Sequence, residues 1–225
     1  MHTATLFVSF PKLAAVDGAI PAIRVALVCN DLAIANSSLG RYQQLAGAMS
    51  HISRGGQMYF ARVSCGHLNE GMEAIAEINK RPVLKGVVDG CSAQARSAFA
   101  DLSDCLRGGS QHAKFERLVG WIRNRVAFHY DPNDLRWALD RRAGASTGSV
   151  SSMTAGEDIH STRFDFGDDL LDTIVCRKLW KIPSDADTRP EADRISDWCF
   201  QKILRFLEFG EDFVPVFLRK NGVVQ

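Results

Sequence analysis

Apolar residues recur at spacings of three and four over most of this 225-residue chain. This spacing is typical of helices, whereas strands alternate with a period of two. The pattern is clearest between residues 61 and 78, where the apolar positions are Ala61, Cys65, Leu68, Met72, Ile75 and Ile78. A stripe of this kind covers one face of a helix, and folding buries that face against neighbouring elements. The pattern therefore predicts an all-α protein, a bundle of several helices.

Helix-ending residues divide the pattern into about six helices. Proline disfavours helix in the residue before it, and glycine commonly follows the last helical residue. The first predicted helix begins near Asp17. The next three cover 54–80, 89–107 and 112–130, and two more lie before and after Pro183. Because proline cannot continue a regular helix, Pro215 is expected to kink the last helix or end it early.

One long segment, residues 144–163, is rich in Gly, Ser and Thr and has no sustained period. We interpret it as a surface loop with space for a small hairpin. It separates a helical bundle over 1–143 from a C-terminal helical extension over 164–225. No proline-rich or charged linker accompanies it, so both parts are expected to pack on the same core.

The composition is that of a soluble globular protein, with 46% hydrophobic and 24% charged residues. The net charge is only +1, so binding to nucleic acid requires a local basic patch. No window approaches eighteen apolar residues, and the N-terminus lacks the basic start of a secretory signal, so we expect no membrane association. The six cysteines form no Cys-x-x-Cys pair, which is typical of reduced thiols in a cytoplasmic protein.

No pattern in the sequence predicts a metal or a cofactor. His67 and Glu70 lie three residues apart on one predicted helix, but a carboxylate-bridged metal site needs a second such pair, and the sequence has none. The sequence also lacks a dinucleotide fingerprint, a phosphate-binding loop and a Gly-x-Ser-x-Gly elbow. We therefore expect neither a metal nor a cofactor.

The segment with the most functional side chains is WIRNRVAFHYDP, residues 121–132. Arg123 and Arg125 flank His129 on opposite sides of an ideal helix, and an imidazole between two permanent cations suits an anion such as phosphate. Asn124 points away from His129 and needs a distorted helix or a second subunit to join such a site. The alternative is a structural role, in which His129 faces the core or a partner helix. His129 continues the apolar stripe of Phe115, Val119, Ile122 and Val126, which favours this role.

Arg123-Asn124, four further residues and His129 resemble the Arg-polar-x(3–5)-His motif of HEPN domains. These are all-α modules of bacterial and archaeal toxins, abortive-infection systems and RNA-cleaving effectors, and the resemblance covers roughly residues 20–145. It implies a homodimer with a metal-independent ribonuclease site shared between two facing helices. In that site Arg123 holds the scissile phosphate, His129 exchanges protons with the ribose 2′-hydroxyl or the leaving oxygen, and Asn124 orients one of them.

Local charge agrees with an RNA-facing surface, because seven basic and four acidic residues between 111 and 143 give a balance of +3. We expect four of the basic residues to contact RNA, namely Lys114, Arg117, Arg125 and Arg136. Two functions stay open at this point. The first is an endoribonuclease of a bacterial toxin or defence system. The second is a non-catalytic helical module that dimerises, binds a nucleotide or pairs with a partner such as a nucleotidyltransferase-type antitoxin.

Overall fold

The computed structural model describes residues 5–44, 50–144, 150–153 and 164–224, with the backbone alone for 43 and 50–54. It is 77% helical. The described residues form no strand, although Val8 and Val224 make one isolated antiparallel bridge. The all-α class predicted from the spacing of apolar residues is therefore confirmed.

The described residues form nine α-helices, three more than the predicted six. They are α1 (Phe10–Ala14), α2 (Ala19–Gln44), α3 (Ser50–Lys80), α4 (Pro82–Val88), α5 (Ala93–Ser103), α6 (His112–Phe115), α7 (Pro132–Ala143), α8 (Asp165–Thr173) and α9 (Thr188–Lys220). Three π-helical turns extend α6 and α8, namely Glu116–Gly120, Arg123–Ala127 and Ile174–Leu179. Two of the additional helices, α1 and α4, have only 5 and 7 residues, too few for a pattern spread over several turns to reveal.

Two prolines act differently from what the sequence predicts. Pro82 ends α3 but is also the first residue of α4, a position where the missing N–H has no intrahelical partner to lose. Pro215 does not end the last helix, because α9 continues through it to Lys220. Of the two outcomes expected for Pro215, the early end is therefore wrong, and the kink stays a prediction.

The described residues divide into two compact units. The first combines the chain up to Ala33 with His67–Ala113 and the residues from Gln201 onward. The second combines Ile34–Gly66 with Lys114–Phe200. The sequence predicts a different division, into parts before and after the 144–163 segment. That division stays a prediction. Of that segment, 150–153 are non-helical and most of the remainder lies outside the described residues.

The core of the first unit is built around α9. Its buried face carries four phenylalanines that are completely buried, namely Phe206, Phe209, Phe213 and Phe217. The rings of Phe209 and Phe213 stack with centroids 4.8 Å apart, and Phe99 of α5 lies 5.1 Å from Phe209. Gly71 of α3 faces Phe206 so closely that a Cβ there would lie 2.5 Å from the ring. Glycine at 71 therefore allows α3 to approach α9.

The core of the second unit contains the apolar stripe that the sequence predicts. Phe115, Val119, Ile122 and Val126 are all buried. The indole Nε1 of Trp180 donates a hydrogen bond to the carbonyl of Leu118 at 3.4 Å. These contacts fix the π-helical turns from which the candidate site projects.

One helix does not fit the expectation that the chain has no apolar segment long enough to cross a membrane. Within the described residues, the 24-residue stretch Ala19–Tyr42 is long and apolar enough to cross a membrane, judged by length and composition alone. Asn30 and Asp31 interrupt its apolar stripe but do not lower its average hydropathy enough to exclude it. Core helices of soluble proteins meet the same criterion, so this finding does not fix the location of the protein.

Candidate functional site

The helix that carries the motif ends two residues before His129. The second π-helical turn ends at Ala127, and Phe128 has left the helical conformation, with φ −125° and ψ −7°. The next helix begins at once, because the Asp131 side chain accepts a hydrogen bond from the N–H of Asn133 at 2.8 Å. The prediction of one helix over 112–130 was therefore too long at its end. His129 lies in a short connection between two helices and not on the helical stripe.

This connection presents its side chains to solvent. Phe128 is 52% exposed and Tyr130 is 60% exposed, and His129 between them is exposed as well. A position for His129 in the core of the chain is thereby excluded. A position in an interface with a second molecule stays open.

Arg123 and Asn124 lie side by side in the second π-helical turn. Nη1 of Arg123 donates a hydrogen bond to Oδ1 of Asn124 at 2.9 Å. This turn departs from the ideal helix on which Asn124 points away from His129, and the expectation that Asn124 joins the site stays a prediction. Such turns occur frequently at functional sites. Arg123 is half-buried and Asn124 is exposed.

Arg125 has a partner that the sequence did not suggest. Its Nη1 lies 3.2 Å from Oδ1 and 3.3 Å from Oδ2 of Asp134, a carboxylate that is only 2% exposed. The ammonium of Lys178 also bonds Oδ1 of Asp134, and it lies 5.2 Å from the ring centre of Trp137. Arg125 is therefore held by the start of α7, which gives it a structural task besides any contact with RNA.

The other basic residues predicted to bind RNA differ in their surroundings. The Lys114 ammonium lies 4.4 Å from the ring centre of Trp198, so it already has an aromatic partner. Arg117 and Arg136 are exposed, on the first π-helical turn and on α7. Of the four, Arg117 and Arg136 are the ones whose charge faces solvent most openly.

Arg62 on α3 is a charged residue near the motif that sequence reasoning missed. It is only 5% exposed. One turn further along the same face, a Cβ at Gly66 would lie 2.6 Å from the Phe128 ring, so this face of α3 packs against the connection. The signal available in the sequence was the position of Arg62 next to the apolar stripe of α3. A single arginine beside such a stripe is common and does not indicate a functional site.

The remaining titratable side chains offer little chemistry. Nδ1 of His67 pairs with Asp31 at 3.2 Å. Across the described residues, no three His, Cys, Asp or Glu side chains converge. Burial, with a smaller effect of Glu211, raises the pKa of Cys29 to about 12, and burial followed by Asp172 raises that of Cys176 to about 11. These two thiols are therefore protonated at neutral pH and are poor nucleophiles.

Comparison with models of protein families, with curated proteins and with solved structures finds no match to this chain. Fold and site together define an all-α protein with an Arg-Asn pair on a π-helical turn and an exposed histidine in the connection that follows. The likeness to HEPN domains therefore rests on the motif and its setting.

Proposed function

We propose that this protein is an RNA-acting, HEPN-like, metal-independent endoribonuclease of a bacterial toxin or defence system, located in the cytoplasm. One observation carries the proposal. The Arg123–Asn124 pair lies on the last π-helical turn of the motif helix, and His129 is exposed in the connection that follows.

The chemistry assigned to these residues needs no metal. The ribose 2′-hydroxyl attacks the adjacent phosphorus and the bond to the 5′-oxygen breaks, which leaves a 2′,3′-cyclic phosphate and a 5′-hydroxyl. A histidine, which titrates near neutral pH, suits both proton transfers, as base toward the 2′-hydroxyl or as acid toward the leaving oxygen. An arginine keeps its charge and binds the phosphate oxygens while negative charge develops on them. Asn124, bonded to Arg123, orients the guanidinium in this scheme.

A homodimer belongs to the same proposal. Arg123 projects from the π-helical turn, whereas His129 lies beyond the helix end, so a second copy supplies a second pair of these groups opposite the first. Trp121 is 39% exposed, and with Phe128 and Tyr130 it provides apolar surface next to the motif. Aromatic residues of this kind are enriched at protein interfaces.

The same aromatic surface supports a second candidate function. Phe128 and Tyr130 flank His129, and in a non-catalytic interaction module they would bind a partner protein, such as an antitoxin, with the histidine enclosed between the chains. The two functions differ in one respect that can be measured, since only the first turns over RNA.

The test is to incubate the purified protein with end-labelled RNA in the presence of a chelator and to analyse the product ends. The proposal expects cleavage at an unchanged rate with the chelator, and products with a 2′,3′-cyclic phosphate and a 5′-hydroxyl. The absence of any cleavage, across RNAs of mixed sequence and structure, would favour the interaction module. Cleavage that requires a divalent cation would contradict the proposed mechanism.

A further inference from the structure

The Arg62 guanidinium is buried, and one of its donor groups has no hydrogen-bond partner. The residue is 5% exposed, and its Nε donates to the carbonyl of Met58 at 3.3 Å. Its Nη1 is fully buried and has no hydrogen-bond partner. Arginine is almost never buried unless it is paired, because an unpaired buried charge loses its hydration and gains nothing in return. A ligand that accepts a hydrogen bond from Nη1 would therefore stabilise the buried Arg62 guanidinium.

The position of Arg62 relates this anomaly to the exposed connection after the motif helix. Arg62 lies one helical turn before Gly66 on α3, and a Cβ at Gly66 would lie 2.6 Å from the Phe128 ring. Phe128 and Tyr130 are more than half exposed, so solvent reaches the segment that covers this face of α3.

The electrostatic surroundings of Arg62 are mixed. Burial lowers the pKa of the Arg62 guanidinium, and Tyr130, Asp168, Asp172 and Tyr59, in that order, raise it. Arginine stays charged under these opposing effects, because a guanidinium keeps its proton throughout the ordinary pH range. The two carboxylates also repel any anion that approaches, so we expect binding at this place to be weak.

We propose that Arg62, under the Phe128–Tyr130 connection, binds an oxyanion of the phosphate class, with Nη1 as the donor that is now unpaired. This inference holds for either candidate function, since both an RNA backbone and a free phosphate or phosphomonoester present such oxygens. A guanidinium is well suited to them because its N–H groups match the spacing of phosphate oxygens.

The proposal has an unusual consequence for stability. Removing a buried charge that lacks a hydrogen-bond partner removes its desolvation cost, which offsets the lost attraction to Asp168 and Asp172. Arg62→Met is therefore expected to melt within a few degrees of the wild type when no phosphate is present. An arginine kept for its structural contacts would instead melt lower on substitution.

The experiment compares thermal midpoints of wild type, Arg62→Met and the control Arg189→Met, in sodium phosphate and in sodium chloride of equal ionic strength. Arg189 is exposed and belongs to the same unit, so its variant corrects for the loss of a charge. Phosphate also stabilises proteins as a salt, and this general effect is the same in all three. A second arm replaces phosphate by a short oligodeoxynucleotide, which has phosphodiesters but no 2′-hydroxyl to react.

Linkage predicts that phosphate at about ten times its Kd raises the wild-type midpoint by roughly 3–6 °C beyond the general salt effect. The rise is expected to persist in Arg189→Met and to vanish in Arg62→Met. Asp168→Asn removes one source of repulsion and should lower the phosphate concentration needed for half the effect. A response to phosphate alone identifies a free anion as the ligand, and a response to the oligonucleotide as well identifies the nucleic-acid backbone.

Two results would overturn the proposal. One is an Arg62→Met variant that melts well below the wild type or fails to fold, which would show that Arg62 is a structural residue. The other is a wild-type midpoint that rises no more than that of Arg62→Met in both arms. RNA cleavage is not part of either readout, so the oxyanion site and the ribonuclease proposal can fail separately.

Discussion

Nη1 of Arg125 lies 3.2 Å from Oδ1 of Asp134, and the carboxylate it contacts is almost completely buried. Lys178 bonds the same oxygen, so two cations from different parts of the second unit meet at one carboxylate. A buried carboxylate needs such partners, because without them its charge is poorly solvated. This arrangement separates Arg125 from Arg123, although the two residues are neighbours in the motif.

Arg125→Ala is expected to lower the free energy of unfolding by about 1–2 kcal/mol, because Asp134 loses one charged hydrogen-bond donor and keeps Lys178. Chemical denaturation checks this. Arg189→Ala is the matched control, since Arg189 is exposed in the same unit, and its effect should stay within about 0.5 kcal/mol. Equal stability of the two variants would show that the Arg125–Asp134 contact contributes nothing.

Gly71→Ala is expected to destabilise the protein by about 1–3 kcal/mol, because the new methyl group would press on the fully buried Phe206 ring. Gly40→Ala on α2 is the control. Nothing lies within 4 Å of a Cβ at Gly40, and alanine favours helix over glycine by up to about 1 kcal/mol. Thermal melting should therefore move in opposite directions for the two variants, and a stabilised Gly71→Ala would contradict the packing of α3 on α9.

The loop after α5 gives a prediction about pH. Asp104 accepts hydrogen bonds from the Ser110 hydroxyl at 2.6 Å and from the Ser110 N–H at 2.7 Å, and these bonds lower the pKa of its carboxyl. A lowered pKa means that the folded state favours the ionised form, so the stabilisation is present above the unfolded value of about 3.9 and is lost as pH falls through the lowered pKa.

Asp104→Asn should therefore be less stable than the wild type at pH 7, and the difference should shrink as the pH falls below about 4. Urea denaturation between pH 3 and pH 7 measures it, with the exposed Asp193→Asn as the control. A difference between wild type and Asp104→Asn that stays constant over this range would show that the ionised carboxylate is not what the Ser110 bonds stabilise.

Assembly can be measured directly by light scattering coupled to size exclusion. The proposal expects a homodimer at micromolar concentration, held in part by the exposed Phe128 and Tyr130. Tyr130→Asp should shift the protein toward the monomer, because it places a charge in that apolar surface. A wild-type protein that stays monomeric at these concentrations would count against the shared site.

The sequence predicted the fold class and the buried stripe of the motif helix because both depend on a period repeated over many residues. Phe115, Val119, Ile122 and Val126 are buried as the pattern requires. The end of that helix was misplaced because the stripe has the correct spacing up to His129, whereas the Asp131-Pro132 start of α7 ends it earlier. The helix-start signal of Asp131 and Pro132 therefore had more effect on the structure than the apolar spacing up to His129.

The candidate site was less predictable because its contacts join residues distant in sequence. Lys178 reaches Asp134 across 44 residues, and no local pattern marks either as a partner of Arg125. No local pattern in the sequence marks the π-helical turn at Arg123 either. Arg62 was passed over because its burial is a property of the folded unit.

The decisive measurement is the rate of RNA cleavage by wild type, Arg123→Ala and His129→Ala, with thermal stability recorded for each. His129 is exposed and Arg123 is only half-buried, so both variants are expected to melt within a few degrees of the wild type. Loss of the general acid or base should slow cleavage by roughly 10²- to 10⁴-fold, and loss of the phosphate-binding arginine by a similar factor. If the wild type cleaves RNA and both variants cleave it as fast, or if the wild type cleaves none, His129 and Arg123 do not form a ribonuclease site.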